Sequence, residues 1–148
     1  MTATKQLLDE KLIQYLQGER IVTLVTIDKE QNVPMTSTIS WLVAQNDCKT
    51  IKFAVGHNAS SVQNIQYNPF VLLNVVGPDS TYEIKGRGAV SEIFKGRMKF
   101  RVVTVEVETV TNNMFYGGVV TAVASYKKTY DANLAAQIDQ EIYDKIKN

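Results

Sequence analysis

The amino-acid sequence predicts a mainly β protein of the α+β class, an antiparallel β-barrel of about six to seven strands with flanking helices. Segments rich in valine, isoleucine and threonine follow one another between residues 20 and 110, and polar or glycine-containing turns separate them. Apolar residues recur at helical spacing at both ends of the chain. The predicted helices therefore lie at the N-terminus, after the third strand and at the C-terminus.

The first helix is predicted over residues 4–17, because Leu8, Leu12 and Leu16 recur at helical spacing and Gly18 is well placed to end it. A hairpin turn follows each of the first two strands. The strands are predicted, in chain order, over residues 20–27, 34–41, 50–55, 68–76, 82–94 and 99–110, with a further candidate strand over 119–127.

Two more helices are predicted from local signals. After the third strand, Ser60 or Ser61 is placed to cap a short helix that ends near residues 67–69. The last helix is predicted over residues 131–147. Its apolar residues recur every fourth position, at Leu134, Ile138, Ile142 and Ile146.

Length and charge favour a single domain over residues 1–148 with one core. The net charge of +1 gives no electrostatic case for nucleic acid or an anionic membrane as partner. No apolar run approaches the ~20 residues that span a bilayer, and the N-terminus lacks a secretory pattern. The one cysteine, Cys48, cannot form an internal disulfide. We therefore expect a cytoplasmic protein.

Few residues offer catalytic chemistry. One histidine, His57, and one cysteine give neither a nucleophile triad nor the ligand spacing of a metal site. His57 precedes the short helix, where it either contacts a cofactor or is a solvated loop residue. Gly86-Arg87-Gly88 lacks the third glycine of a dinucleotide fingerprint. We interpret these glycines as a bend or a close backbone approach.

The start of the short helix is a candidate phosphate site. Its first N–H groups have no partner within the helix and lie at the positive end of the helix dipole. Ser60, Ser61 and Asn64 add polar side chains there. The alternative is that the serines only cap the helix. Two interpretations also remain for the hydroxyl side chains of the second strand: they either bind a polar ligand or are ordinary strand residues.

This order of segments resembles the FMN-binding split barrel of the pyridoxamine 5′-phosphate oxidase-like family. The resemblance rests on the strand at residues 50–55, the polar segment and short helix after it, Asn68-Pro69, and the apolar strand that follows. It implies a split antiparallel barrel with FMN as cofactor. It also implies a homodimer with the flavin at the interface, and an oxidoreductase acting on a small molecule.

The resemblance implies where the FMN phosphate would be held. The family's basic ligands fall on Ser37 in the second strand and on Ser60 and Ser61 at the helix start. None of these residues is basic here. Lys52, Arg87 or a lysine of the partner chain would have to substitute for them.

The family's backbone contacts to the flavin ring edge fall on Thr38 and Ile39, with Val55 near the end of the third strand. Backbone contacts survive a change of side chain, so this part of the site is expected to be retained. The family's C-terminal substrate-binding section has no counterpart after Val110. The sequence therefore does not assign the chain to vitamin B6 synthesis.

Two alternatives to a flavin oxidoreductase also fit the sequence. The first is a binding or sensing module without turnover, which would hold flavin, deazaflavin, haem or nothing. The missing basic phosphate ligands favour it. The second is an oligonucleotide-binding barrel, which requires a basic groove with stacking aromatic residues. The net charge of +1 and the single tryptophan argue against that function.

Overall fold

The computed structural model describes residues 7–147. Within them, eight antiparallel strands form one sheet: β1 Val22–Ile27, β2 Pro34–Ile39, β3 Leu42–Ala44, β4 Thr50–Gly56, β5 Phe70–Val76, β6 Thr81–Val90, β7 Phe94–Lys95 and β8 Lys99–Asn112. The helices are α1 Glu10–Tyr15, α2 Ser60–Tyr67 and α3 Ala132–Ile146.

The strand order explains why the sheet is a split barrel. Neighbouring strands follow the order β2-β1-β5-β6-β8-β4-β3, and β7 pairs with β8. β2 and β3 are consecutive in the chain, yet they form the two opposite edges of the sheet. Only Ser40 and Trp41 connect them, so the sheet curls until its edges approach each other. The predicted split antiparallel barrel with three flanking helices is confirmed.

One hydrophobic cluster fills the barrel, and all five long strands that surround it contribute to it. Fully buried members from these strands are Leu24, Phe53, Leu73, Ile84 and Val105. A second, smaller cluster lies on the outer face of the sheet, where α3 packs. The residues that α3 buries are Ala135, Ile138, Ile142 and Ile146. The predicted apolar stripe of the last helix is confirmed at its three isoleucines, whereas Leu134 is exposed.

The first helix is shorter than the sequence predicts. It begins after Asp9, whose Oδ1 accepts a hydrogen bond from the backbone N–H of Leu12 at 2.8 Å. This N-cap fixes the start of the helix. Its C-cap is Leu16, so the predicted end at Gly18 is wrong. Residues 4–6 of the predicted helix lie outside the described residues.

Two strand predictions are wrong. The strand predicted over residues 34–41 ends at Ile39, because the backbone leaves the β2 edge at Ser40 and joins β4, where the Ala54 N–H donates to the Trp41 carbonyl at 2.9 Å. Residues 119–127 form no strand, since no described strand pairs with them. They belong to an irregular segment, residues 119–131, which we call the strap.

β6 bends at Gly86. The register with β8 shifts there, because Lys85 lies opposite Thr109 whereas Gly86 lies opposite Val107. A Cβ at Gly86 would collide with the carbonyl oxygen of Glu106. Of the two predicted alternatives, a bend or a close backbone approach, the close approach is confirmed at Gly86.

The turn between β3 and β4 is held by one carboxylate. Asp47 Oδ1 accepts hydrogen bonds from the backbone N–H groups of Lys49 at 3.0 Å and Thr50 at 2.9 Å, and Oδ2 accepts from the Thr50 hydroxyl at 2.6 Å. Burial opposes the charge of Asp47, but these hydrogen bonds outweigh it and lower the pKa of the carboxyl group. Such an Asx turn offers the backbone a local partner.

We expect Asp47→Ala to lower the free energy of unfolding by about 1–2 kcal/mol at pH 7, because three hydrogen bonds to a carboxylate are lost. Since the folded-state pKa is depressed, this stabilisation is present above the unfolded pKa of about 4 and is lost as the pH falls through the folded value. Urea denaturation at several pH values measures it. The exposed neighbour variant Asn46→Ala is the control, and an Asp47→Ala deficit that is unchanged at low pH would contradict the assignment.

Candidate functional site

A groove of about 640 Å³ lies at the open seam of the barrel. Among the strands between residues 7 and 147, β2 is a sheet edge, so one side of its backbone has no neighbour there. β3 pairs with β4 only from Ile51 to Phe53, which leaves the end of β4 uncovered on that side. The groove runs between these two uncovered stretches and the first turn of α2. It is formed by backbone edges as much as by side chains.

Six of the eight residues predicted for the site line this groove. They come from three different elements, β2, β4 and α2, which the curled sheet brings together. They are Ser37, Thr38, Ile39, Val55, Ser60 and Ser61.

His57 and Asn64, the other two predicted residues, do not line the groove. Asn64 is buried, its Oδ1 accepts from the Lys29 N–H at 3.1 Å, and its Nδ2 donates to Thr26 Oγ1 at 3.1 Å. These bonds fasten α2 to the β1–β2 hairpin. His57 directly follows β4, where its backbone N–H donates to the Lys99 carbonyl at 3.2 Å.

The first turn of α2 has no side-chain cap. The N-cap residue is Ala59, whose methyl side chain cannot accept a hydrogen bond, so the prediction that Ser60 or Ser61 caps the helix is wrong. Both serines are instead the first helical residues, with Ser60 exposed and Ser61 buried. An uncapped first turn directs unpaired N–H groups and the positive end of the helix dipole outward. This arrangement suits an anionic group in the groove.

No protein-family model and no curated protein match the chain. A Lactobacillus delbrueckii structure described as a candidate pyridoxamine 5′-phosphate oxidase is similar, with a TM-score of 0.61, 16% identity and coverage of 72% of this chain and 95% of its own. HupZ of Group A Streptococcus scores 0.60 at 16% identity with the same coverage. An F420 reductase scores 0.53 at 14% identity, covering 68% and 95%. The chain has the fold of the pyridoxamine 5′-phosphate oxidase-like split barrels.

In this split barrel the strap supplies one wall of the groove, which the sequence prediction missed. Tyr126, Lys128 and Tyr130 alternate along the strap and all line the groove. Their spacing of two residues is the signal that could have identified them, because it puts side chains of an extended segment on one side. The strap starts beside the β5–β6 turn, where the Val120 N–H donates to the Asp79 carbonyl at 2.9 Å.

Lys128 is held by two carboxylates. Its Nζ lies 2.8 Å from Glu19 Oε1 and 2.5 Å from Asp139 Oδ1. Burial disfavours the ammonium, but the hydrogen bonds to Asp139 and Glu19 outweigh burial and raise the pKa of Lys128. Of the described residues that line the groove, Lys128 alone is charged. Lys52 and Arg87, predicted as substitute phosphate ligands, do not line it.

Trp41 joins the groove to α3. Its indole N–H donates to Asp139 Oδ1 at 2.9 Å, and the Lys128 Nζ lies 5.7 Å from the centre of its ring. Trp41 lines the groove and is the single tryptophan of the sequence. Its fluorescence therefore reports on the groove.

A metal centre has no basis in the structure between residues 7 and 147. No group of three or more histidine, cysteine, aspartate or glutamate side chains is arranged to hold a metal ion there. In the same part of the chain, none of the helices has the length and apolar character to cross a membrane.

Proposed function

We propose that this chain is an FMN-binding flavoprotein, a cytoplasmic oxidoreductase that acts on a small molecule. The observation that carries the proposal is the groove at the seam, where the free edge of β2 faces the uncapped first turn of α2. One similar structure is an F420 reductase, and F420 is a deazaflavin. A planar flavin-type ring is therefore the cofactor class that we favour.

The residues of the groove fit FMN. A volume of about 640 Å³ is typical of a small-molecule or cofactor site. We assign the ring edge to the backbone of Thr38, Ile39 and Val55, and the phosphate to Ser60 and Ser61 at the start of α2. Bound FMN would supply hydride or electron transfer. The chain's own residues bind and orient the reactants and exclude water.

We further propose a homodimer with the cofactor at the interface. Three apolar side chains at the rim of the groove are exposed: Ile21 by 36%, Tyr126 by 38% and Tyr130 by 44%. A second copy placed over the groove would remove them from water, which is favourable. It would also cover the open side of the cofactor.

Titration of the protein with FMN tests the proposed cofactor. We expect saturable quenching of Trp41 fluorescence with one FMN per chain, because Trp41 lines the groove. Riboflavin, which lacks the phosphate, should bind more weakly. Absence of quenching together with absence of FMN retained on gel filtration would refute the proposal.

A new cation at the start of α2 should strengthen FMN binding. We expect Ser60→Arg to lower the Kd for FMN about tenfold and to leave the Kd for riboflavin unchanged, since a charge-assisted hydrogen bond contributes about 1.5 kcal/mol or more. Ser60 is exposed, so the substitution costs little stability. The control is Gln66→Arg, exposed near the other end of α2. An equal gain for FMN and riboflavin would show that the phosphate lies elsewhere.

A cofactor-binding module without turnover is the second candidate. The observation that favours it is that the described residues lining the groove include no histidine or carboxylate to serve as general acid or base. FMN that binds as proposed, but is reduced by neither NADH nor NADPH, would favour this module over the oxidoreductase.

A further inference from the structure

We propose that a second cavity, which adjoins the groove along the strap, binds a monocarboxylate with an apolar or aromatic body through Arg20. This cavity, the strap pocket, has a volume of about 500 Å³ and lies between the strap, the start of β1 and the first turns of α3. It shares Tyr126, Lys128 and Tyr130 with the groove, which therefore form a common wall. Arg20 itself does not line the groove, so a variant at this residue can separate the strap pocket from the proposed function.

The positive charge of Lys128 is already compensated in this pocket. Glu19 and Asp139 both contact its ammonium, at 2.8 and 2.5 Å. Glu19 also accepts a hydrogen bond from the Tyr143 hydroxyl at 2.5 Å, and Asp139 accepts one from Trp41. The two carboxylates and the lysine thus form a closed network that leaves Arg20 as the cation available to a ligand in the pocket.

Arg20 is held in place but not neutralised. Its guanidinium carbon lies 4.3 Å from the centre of the Tyr15 ring, and its Nε donates to the Tyr15 carbonyl at 3.3 Å. Among residues 7–147, no carboxylate forms a salt bridge with it. The ring contact and the Nε hydrogen bond hold the guanidinium, and no residue between 7 and 147 forms a salt bridge with its two terminal nitrogens. A fixed guanidinium edge matches the two oxygens of a carboxylate.

The other walls of the strap pocket narrow the ligand class. Glu19 and Asp139 repel any anion, and they repel a dianion such as hydrogen phosphate more strongly than a monocarboxylate, because Coulomb repulsion grows with charge. The tyrosines of the common wall and four alanines from the strap and α3 offer apolar and aromatic surface. A single negative charge on an apolar body satisfies both conditions.

Calorimetric titration with benzoate, benzamide and inorganic phosphate tests this site. We expect benzoate to bind saturably and benzamide, its neutral analogue of similar shape, to bind at least about tenfold more weakly, as expected for a lost charge-assisted pair. Arg20→Gln should weaken benzoate at least about tenfold, and Arg20→Lys should weaken it less, because a lysine retains charge without the planar fork. Arg97→Gln, which changes an exposed arginine paired with Glu141, is the matched control and should leave binding unchanged.

Equal binding of benzoate and benzamide, unchanged benzoate binding in Arg20→Gln, or phosphate binding tighter than benzoate would each overturn the proposal. Thermal unfolding of the variants verifies that they are folded. If Arg20→Gln is not folded, Arg20→Lys replaces it as the test variant. Arg20→Gln should bind FMN as the wild type does. Loss of benzoate binding with intact FMN binding would therefore support the strap pocket, while failure of FMN binding alone would refute only the proposed function.

Discussion

Replacing Gly86 by alanine should destabilise the barrel by about 3 kcal/mol or more, within the upper range for overpacked cores. A Cβ at this position collides with the carbonyl oxygen of Glu106 and lies 2.9 Å from Val105 Cγ1. The obstacle is backbone in the centre of the β6–β8 pairing, so it cannot rotate away as a side chain can. The collision can be relieved only if the register shift at Gly86 moves along the strand, and that breaks hydrogen bonds between β6 and β8. Urea denaturation measures the loss as a shift of the midpoint.

The matched control for Gly86→Ala lies two residues further along the same strand. A Cβ at Gly88 meets only side-chain methyl groups, at 3.0 Å from Val103 and Val71 and 3.1 Å from Ile65. Because methyl groups can shift by a few tenths of an ångström, Gly88→Ala should cost about 1 kcal/mol, near the low end for overpacking. Equal costs for the two variants would contradict the argument that backbone contact decides the effect.

A large side chain in place of Gly56 should occupy the groove and abolish most FMN binding without unfolding the protein. A Cβ at Gly56 meets no atom within 4 Å, and Gly56 lines the groove. We therefore expect Gly56→Phe to keep its fold and to raise the Kd for FMN by at least about tenfold. Excluding about 60 Å² of apolar contact removes about 1.5 kcal/mol, which is about tenfold in affinity.

Gly56→Ala is the control for this variant, because one methyl group occupies little of the groove. It should bind FMN as the wild type does and unfold at the same or a slightly higher urea concentration. Trp41 quenching gives the affinities. A folded Gly56→Phe protein that binds FMN normally would place the cofactor outside the groove.

Alternation and helical spacing predicted most of the strands and helices, because they report burial directly, and the split-barrel arrangement came from the family resemblance. The sequence could not locate elements whose limits depend on distant neighbours. The strand at residues 34–41 shows no change of composition at Ser40, and it ends there only because Trp41 joins the other edge of the sheet. The residues of the strap alternate as a strand would, but they meet no strand with which to pair.

The sequence placed residues in the groove where their position depends on the backbone, and it misplaced them where the position depends on side-chain contacts. Ser37 and Ser60 meet at the groove because β2 and the start of α2 occupy the places that the resemblance implies. Asn64 has the same polar character in sequence, yet its amide is bonded to Thr26 and Lys29 inside the protein. The spacing of Tyr126, Lys128 and Tyr130 could have suggested a shared face, but the ion pairs of Lys128 could not be predicted, because the fold brings Glu19 and Asp139 to it from distant parts of the chain.

The strand order also affects how fast the chain can assemble. Only adjacent hairpins such as β1–β2, β3–β4 and β5–β6 join segments that are close in sequence, whereas Val22 pairs with Val75 and Thr50 with Glu106. The chain between such partners must lose conformational entropy before the strand pairing can stabilise the fold. Refolding of this barrel is therefore expected in milliseconds to seconds, as in other proteins with largely non-local pairing.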